Sequence, residues 1–176
     1  MAKTLMSLAN DWKLLYKNDE YQEFGEDKRL SAWFISKENM GNSKDICVKI
    51  MDESNDASEY TGGAYLGFSM IRIPEMYYIM AEALLEEGDK EKARKYLDAV
   101  VAARGIVKFA DRDTGKDITL EDIMNERRKE LFGEGQWWFC LKRLNWDIYV
   151  HALDATLKGS DKIYTLPLPT EELDPR

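Results

Sequence analysis

The chain is poor in the residue types on which most metal and redox chemistry depends. Its 176 residues include one histidine, His151, and two cysteines, Cys47 and Cys140. A zinc site built from Cys and His needs about four such ligands, and one cysteine pair does not make a disulfide framework. The sequence therefore predicts no metal site of this kind and no cofactor.

Basic stripes and long apolar runs are also missing. The formal net charge is −8 and the pI is about 4.9, which repels phosphate backbones, so nucleic acid is not an expected partner. No apolar run approaches the roughly 20 residues that cross a bilayer, and Ser7, Asn10 and Asp11 interrupt any apolar signal region near the N-terminus. With 44% hydrophobic and 33% charged residues, the composition is typical of one globular domain spanning residues 1–176.

Proline is scarce as well, and none of the four prolines lies between residues 75 and 166. Without these breakers the stretch is predicted to be mostly helical. Apolar residues recur every three or four positions, which predicts a helix over about 74–87. Gly88 is suited to end that helix, Asp89 to cap a second one, and Gly105 to end the second helix.

A second helix pair is predicted at about 120–145. Thr119 and Asp122 have the spacing of a capping box, in which each residue satisfies a backbone amide near the other. Gly133 and Gly135 permit a sharp turn before the next helix. The two antiparallel pairs, joined by long irregular segments, predict an all-α fold of helix pairs.

The irregular segments are predicted at residues 36–67 and 106–118, and an extended segment is predicted at 164–173. Loops as long as the first commonly carry function. Aromatic rings in polar loops can pack against sugar faces while nearby polar groups bind the hydroxyls. On this ground alone the candidate ligand-binding residues are Trp33, Tyr60 and Tyr65.

Glu126 and Glu130 lie four residues apart and share one face of a predicted helix. Paired carboxylates are the arrangement that glycoside hydrolysis uses. However, Arg127 and Arg128 are interleaved with them and Lys129 follows, so salt bridges inside and beneath the helix pair explain the same residues. We therefore predict a structural role and no enzymatic activity.

A run of aromatic residues follows at Trp137, Trp138 and Phe139. Neighbouring positions on a helix point about 100° apart, so the three rings cannot share one face. Aromatic clusters on helices more often belong to a core than to a ligand platform. We therefore predict that most of this run is structural, with one tryptophan exposed.

Three segments of the chain form a recognisable pattern. The first runs from Arg72-Ile73-Pro74-Glu75-Met76-Tyr77 to Ala102-Ala103-Arg104-Gly105, and the last is Leu166-Pro167-Leu168-Pro169. Between them lies the most recognisable segment, which extends from Leu120 to Arg143. Taken together, the three segments resemble the SusD/RagB family of nutrient-binding outer-membrane lipoproteins of Bacteroidetes. The residues of the middle segment that we predict to be structural are Glu126, Arg127, Arg128, Glu130, Trp138 and Phe139.

The resemblance implies non-catalytic capture of a glycan at the outward-facing side of the outer membrane, with delivery to a SusC-type TonB-dependent transporter. It implies a membrane link only through a lipid anchor that is absent from this chain. Family members are about three times longer, so the resemblance identifies residues 1–176 as the C-terminal portion. In that reading the helix pairs are the remnant of a tetratricopeptide-like α-α superhelix.

Two alternatives remain open. Periodicity alone is equally typical of a helical-repeat protein-interaction domain without glycan binding. A small glycoside hydrolase using Glu126 or Glu130 is the other alternative, which turnover of a polysaccharide would reveal. Adjacency to a transporter gene would separate glycan capture from general protein interaction.

Overall fold

The computed structural model describes residues 15–16, 25–39, 42–49, 71–150 and 153–165. It is mostly helical, which confirms the all-α prediction. Its contacts divide the chain into two compact units, residues 1–130 and 131–176. The helices are α1 (Lys28–Trp33), α2 (Ile73–Glu86), α3 (Lys90–Ala103), α4 (Leu120–Glu130), α5 (Gln136–Leu144) and α6 (Asp161–Tyr164).

In the first unit, α2 and α3 pack together as a helix hairpin, as predicted. Gly88 lies between them with a φ of +87°, a left-handed conformation that suits glycine. The side chain of Asp89 caps α3 by accepting a hydrogen bond from the backbone N–H of Lys92 at 3.1 Å. Both predicted end signals are confirmed, and they fix the tight turn that brings the two helices together.

Helix α4 begins at the predicted capping box and packs against α2. The backbone N–H of Thr119 donates to the Asp122 carboxylate at 2.7 Å, and the N–H of Asp122 donates to the Thr119 hydroxyl at 3.2 Å. The apolar core around these helices includes Tyr78, Ala81, Ala93, Leu97, Val100, Val101, Ile106, Ile118, Ile123 and Met124.

The prediction of an irregular segment over residues 36–67 is wrong for its first part, up to residue 47. Strands β1 (Phe34–Asn39) and β2 (Asn42–Cys47) form an antiparallel hairpin in which Phe34 pairs with Cys47. The strands are held by hydrogen bonds between backbone groups, which form whether the side chains are polar or apolar. The polar composition of this segment therefore gave no sign of the hairpin. Residues 50–70 lie outside the described part. The predicted loop at 106–118 is confirmed, apart from one 3₁₀ turn at Phe109–Asp111.

The second unit contains α5, a short hairpin of β3 (Ile148–Val150) with β4 (Ala155–Leu157), and α6. Gly133 and Gly135 have φ values of +79° and +73°, which confirms the sharp turn before α5. The prediction of an extended segment from residue 164 is wrong at its first residue, because Tyr164 is the last residue of α6. The hydroxyl of Tyr164 donates to the carbonyl of Trp146. Residues 166–176 lie outside the described part.

Candidate functional site

Glu130, the last residue of α4, is wholly buried and binds three arginines. Arg104 donates to both carboxylate oxygens, from Nε at 2.9 Å and from Nη2 at 2.8 Å. Arg72 donates from Nη2 at 2.8 Å, and Arg29 approaches from Nη1 at 3.5 Å. The paired Arg104 contact has the fork geometry of strong charge-assisted hydrogen bonds.

Glu126 lies one helical turn earlier and is also wholly buried. It accepts hydrogen bonds from Arg29 Nη2 at 2.8 Å and from Lys129 Nζ at 2.6 Å. Burial by itself would raise the pKa of this carboxyl, but the charges of Arg29 and Lys129 outweigh burial and lower the pKa below its ordinary value. Glu126 is therefore held as a carboxylate.

Arg29 connects α1 to these carboxylates. Its guanidinium bonds Asp27 through Nε at 2.9 Å and Nη2 at 2.7 Å, while Asp27 also accepts from the Arg29 backbone N–H at 3.0 Å and so caps α1. Burial would lower the pKa of Arg29, yet Glu126 and Asp27 raise it above its ordinary value. Arg29 and Glu126 thus both remain charged inside the protein.

We call these side chains the ionic cluster. They come from the cap and first turn of α1, the start of α2, the end of α3 and the second half of α4. The cluster therefore joins parts of the first unit that are distant in sequence. Each buried charge has an opposite charge within hydrogen-bonding distance, which is the condition for keeping charges in an interior. The members are Asp27, Arg29, Arg72, Arg104, Glu126, Lys129 and Glu130.

Arg127 and Arg128 lie outside the ionic cluster. Arg127 bonds Glu75 on α2 at 2.7 Å, which adds a contact between α4 and α2. The side chain of Arg128 is exposed. From the sequence alone, the salt bridges are attributed to Arg127, Arg128 and Lys129. Of these, Lys129 does bond Glu126, but the second cation on Glu126 is Arg29, which is 97 residues away in the sequence.

Trp33, the candidate glycan-binding residue that the structure describes, is half-buried beside two cations. Lys49 Nζ lies 4.2 Å from the centre of the indole ring, and Arg72 Cζ lies 6.0 Å from it. Both cations also donate to the backbone carbonyl of Glu130, at 2.5 Å and 2.9 Å. Trp33 thus takes part in cation–π contacts that are continuous with the ionic cluster. Tyr60 and Tyr65 lie outside the described residues.

In the second unit, α5 carries its aromatic residues in three different environments. Trp138 is 42% exposed with its ring 5.3 Å from that of Tyr164, and Phe139 is 63% exposed. Trp137 is less exposed and meets Trp146 edge to face at 6.3 Å. Trp137 therefore lies apart from the two exposed rings, Trp138 and Phe139.

Within the described ranges, no group of three or more His, Cys, Asp or Glu side chains is arranged to hold a metal ion. In the same ranges, no helix combines the length and apolarity that crossing a bilayer requires.

Comparison with known proteins gives the family. A sequence profile described as the SusD family matches residues 7–165. The chain belongs to the SusD family. Its fold is similar to the crystal structure of a "putative sugar binding protein" from Bacteroides vulgatus ATCC 8482, with a TM-score of 0.60 and 24% identity. That similarity covers 95% of this chain and 36% of the other, so the chain spans about a third of its relative's length. A search of curated proteins found no significant match.

The segments that mark the SusD family in this sequence supply much of the ionic cluster. Arg72 opens the first segment, Arg104 closes the same helix pair, and Glu126 and Glu130 belong to the segment between Leu120 and Arg143. Asp27 and Arg29 were missed as partners by sequence reasoning. Asp27 and Arg29 lie two positions apart in an ordinary polar stretch. This spacing indicates a buried ion pair only once Glu126 is known to be buried.

Proposed function

We propose that this SusD-family chain is part of a glycan-binding protein at the outer-membrane surface, which passes oligosaccharides to a SusC-type TonB-dependent transporter without converting them. Membership of the SusD family is the observation that carries the proposal. The sugar-binding description of the Bacteroides vulgatus protein, which shares the fold over most of this chain, supports it.

The geometry of the ionic cluster supports the non-catalytic part of the proposal. Glycoside hydrolysis needs one carboxyl group that can donate a proton and a second that reaches the sugar or a water molecule. Glu126 and Glu130 are wholly buried and their oxygens bind arginine and lysine. The pKa of Glu126 is lowered, whereas a general acid needs a raised one. These carboxylates are suited to holding the fold together.

A polysaccharide assay tests this part. We expect no release of reducing ends from plant, host or bacterial polysaccharides, and we expect Glu126→Gln to lower Tm without removing any activity. Glu121→Gln, an exposed carboxylate on the same helix, is the matched control. Hydrolysis that disappears in Glu126→Gln while the control remains active would contradict the proposal.

We further propose that the glycan site of this chain is partial. Trp33 is half-buried beside Lys49, and a sugar site needs a flat platform with several convergent polar groups on a rigid support. Since the chain spans about a third of its relative, we expect binding weaker than about 1 mM, or less than about 4 kcal/mol.

Calorimetry against the same polysaccharide panel measures this affinity. Trp33→Ala is the test variant, and Trp137→Ala, which changes a tryptophan in the other unit, is the control. Micromolar binding lost only in Trp33→Ala would overturn the partial-site proposal and still support a glycan role. Millimolar or undetectable binding is the expected result.

A protein-interaction role is the second candidate, and the outer side of α2 favours it. Ile73 is 75% exposed, and Met76 and Met80 are each 42% exposed at helical spacing. A groove of 270 Å³ beside them is lined by residues of α2 and α3, including Tyr77 and Val100. Such a surface suits contact with another polypeptide.

Transporter delivery is tested with the TonB-dependent transporter encoded next to the gene, if such a neighbour exists. Purified transporter in detergent should retain the native protein, and Met76→Lys with Met80→Lys should weaken retention if α2 contributes. Fractionation of cells should place the native protein in the outer membrane. Absence of a neighbouring transporter gene together with a soluble native protein would contradict the proposed delivery.

A further inference from the structure

Helix α5 exposes two large aromatic side chains next to each other. Phe139 is 63% exposed and Trp138 is 42% exposed, although burial of such side chains ordinarily stabilises a fold. The buried side of the same helix is supplied by Cys140 and Leu141. The tilted contact between Trp138 and buried Tyr164, with ring centres 5.3 Å apart, restrains the tryptophan. A restrained ring is the kind of support that a ligand platform needs.

Two cations follow these aromatic residues one helical turn later. Lys142 and Arg143 are exposed, and each follows one of the aromatic residues by four positions, so Trp138 shares a face with Lys142 and Phe139 with Arg143. Cations in the last turn of a helix are favoured by its dipole, which accounts for the charges. The dipole does not account for the exposed rings at the same spacing.

We propose that the face of α5 formed by Trp138, Phe139, Lys142 and Arg143 binds negatively charged sugars. The inference rests on the proposed glycan-binding function and adds a ligand class and a location to it. The C–H groups of a sugar ring pack on the aromatic rings, and a carboxylate or sulfate group accepts hydrogen bonds from Lys142. A uronic acid and a sulfated sugar share this chemistry.

The ligand class follows from the two exposed cations, Lys142 and Arg143, which share faces of α5 with the exposed rings. The formal net charge of −8 repels polyanions and opposes this binding, so the two local cations have to outweigh it. Because the contact is exposed, its affinity falls as salt rises.

NMR titration of the whole chain tests the proposal, since it detects millimolar binding and reports each tryptophan indole separately. The ligands are oligogalacturonate, chondroitin sulfate oligosaccharides and neutral maltooligosaccharides. We expect the Trp138 indole to shift with an anionic ligand. Binding should weaken about tenfold in Phe139→Ala and severalfold in Lys142→Gln. Lys95→Gln, an exposed lysine on α3, is the control and should bind normally.

The three ligands distinguish the possible outcomes. A response to oligogalacturonate alone identifies uronic acids, and a response to chondroitin sulfate alone identifies sulfated sugars. Binding of maltooligosaccharides without any shift at Trp138 overturns this inference and leaves the proposed function standing. Binding of no glycan overturns the inference and also counts against the proposed function. Shifts of Trp138 that follow protein concentration without ligand show a contact between copies and overturn the sugar assignment.

Discussion

Trp33, which lies beside the ionic cluster, and Trp138, which lies on α5, differ in burial. Trp33 is half-buried, and its neighbours Lys49 and Arg72 donate to the carbonyl of Glu130. Trp138 is 42% exposed, and Lys142, four residues later, is also exposed. The difference shows that residue type alone does not fix the environment of a tryptophan. What separates the two is how far packing has removed the ring from water.

The largest expected effect comes from breaking the ionic cluster at Glu130. Glu130→Gln leaves Arg72 and Arg104 without their anion, and loss of one partner from a buried ion pair costs about 3–5 kcal/mol. Urea unfolding monitored by circular dichroism measures the free energy of unfolding. Glu121→Gln on the exposed side of the same helix should change it by less than about 0.5 kcal/mol. Equal effects of the two changes would contradict the assigned role of the cluster.

Low pH should lower the free energy of unfolding through Glu126 of the ionic cluster. The pKa of Glu126 is lowered in the folded state from an ordinary value of 4.5, because Arg29 and Lys129 outweigh the effect of burial. A lowered folded pKa means that the carboxylate stabilises the fold above pH 4.5, and that this contribution is lost as pH falls through the folded pKa. Unfolding free energies measured between pH 7 and pH 3 should therefore fall below pH 4.5. The fall should be shallower in Glu126→Gln, and an unchanged slope would refute the linkage.

Backbone packing next to the cluster gives the third prediction. Gly105 has a φ of +82°, and a Cβ there would lie 2.9 Å from the carbonyl oxygen of Glu26. Gly105→Ala should cost about 2–3 kcal/mol, from backbone strain and the contact together. Gly115 has a φ of +62° with no atom within 4 Å of a Cβ, so Gly115→Ala should cost about 1 kcal/mol. Thermal unfolding of both variants isolates the contribution of the contact.

Two buried tyrosines, Tyr16 and Tyr78, are expected to have smaller effects on the free energy of unfolding. The Tyr16 hydroxyl donates to the carbonyl of Lys129 at 2.9 Å, so Tyr16→Phe should cost about 1 kcal/mol. Within the described residues the Tyr78 hydroxyl is buried and has no hydrogen-bond partner. Tyr78→Phe should therefore leave the free energy of unfolding unchanged or raise it. A greater loss at Tyr78 than at Tyr16 would be inconsistent with these hydrogen bonds.

The smallest effect is expected on the exposed face of α5. Phe139→Ser should change the free energy of unfolding by less than about 0.5 kcal/mol, because the ring is mostly in solvent. Leu141→Ala, two residues along and buried, should cost about 2–3 kcal/mol. Chemical denaturation compares the two. A large loss in Phe139→Ser would mean that this face contributes to the core, which would remove the basis for a binding platform.

The sequence was informative about single elements because their signals are local. Helix bounds, the Asp89 cap and the capping box of Thr119 and Asp122 depend on residues within one or two turns of each other. The hairpin over residues 34–47 was missed, since its strands are held by backbone pairing and its side chains are largely polar. The site was predicted less well. The sequence identifies Glu126, Glu130 and the partner Lys129, but it points to Arg127 and Arg128 where the structure has Arg29, Arg72 and Arg104.

By itself, then, the sequence determined the helical class, the ends of most helices and the resemblance that the family profile confirms. The tertiary structure alone decided which charges meet. The contact between Arg29 and Glu126 spans 97 residues, and no local pattern encodes it. Its physical origin is burial: once packing removes Glu126 from water, its charge requires a cation at hydrogen-bonding distance. Lys142 on α5 is exposed to water, which imposes no such requirement.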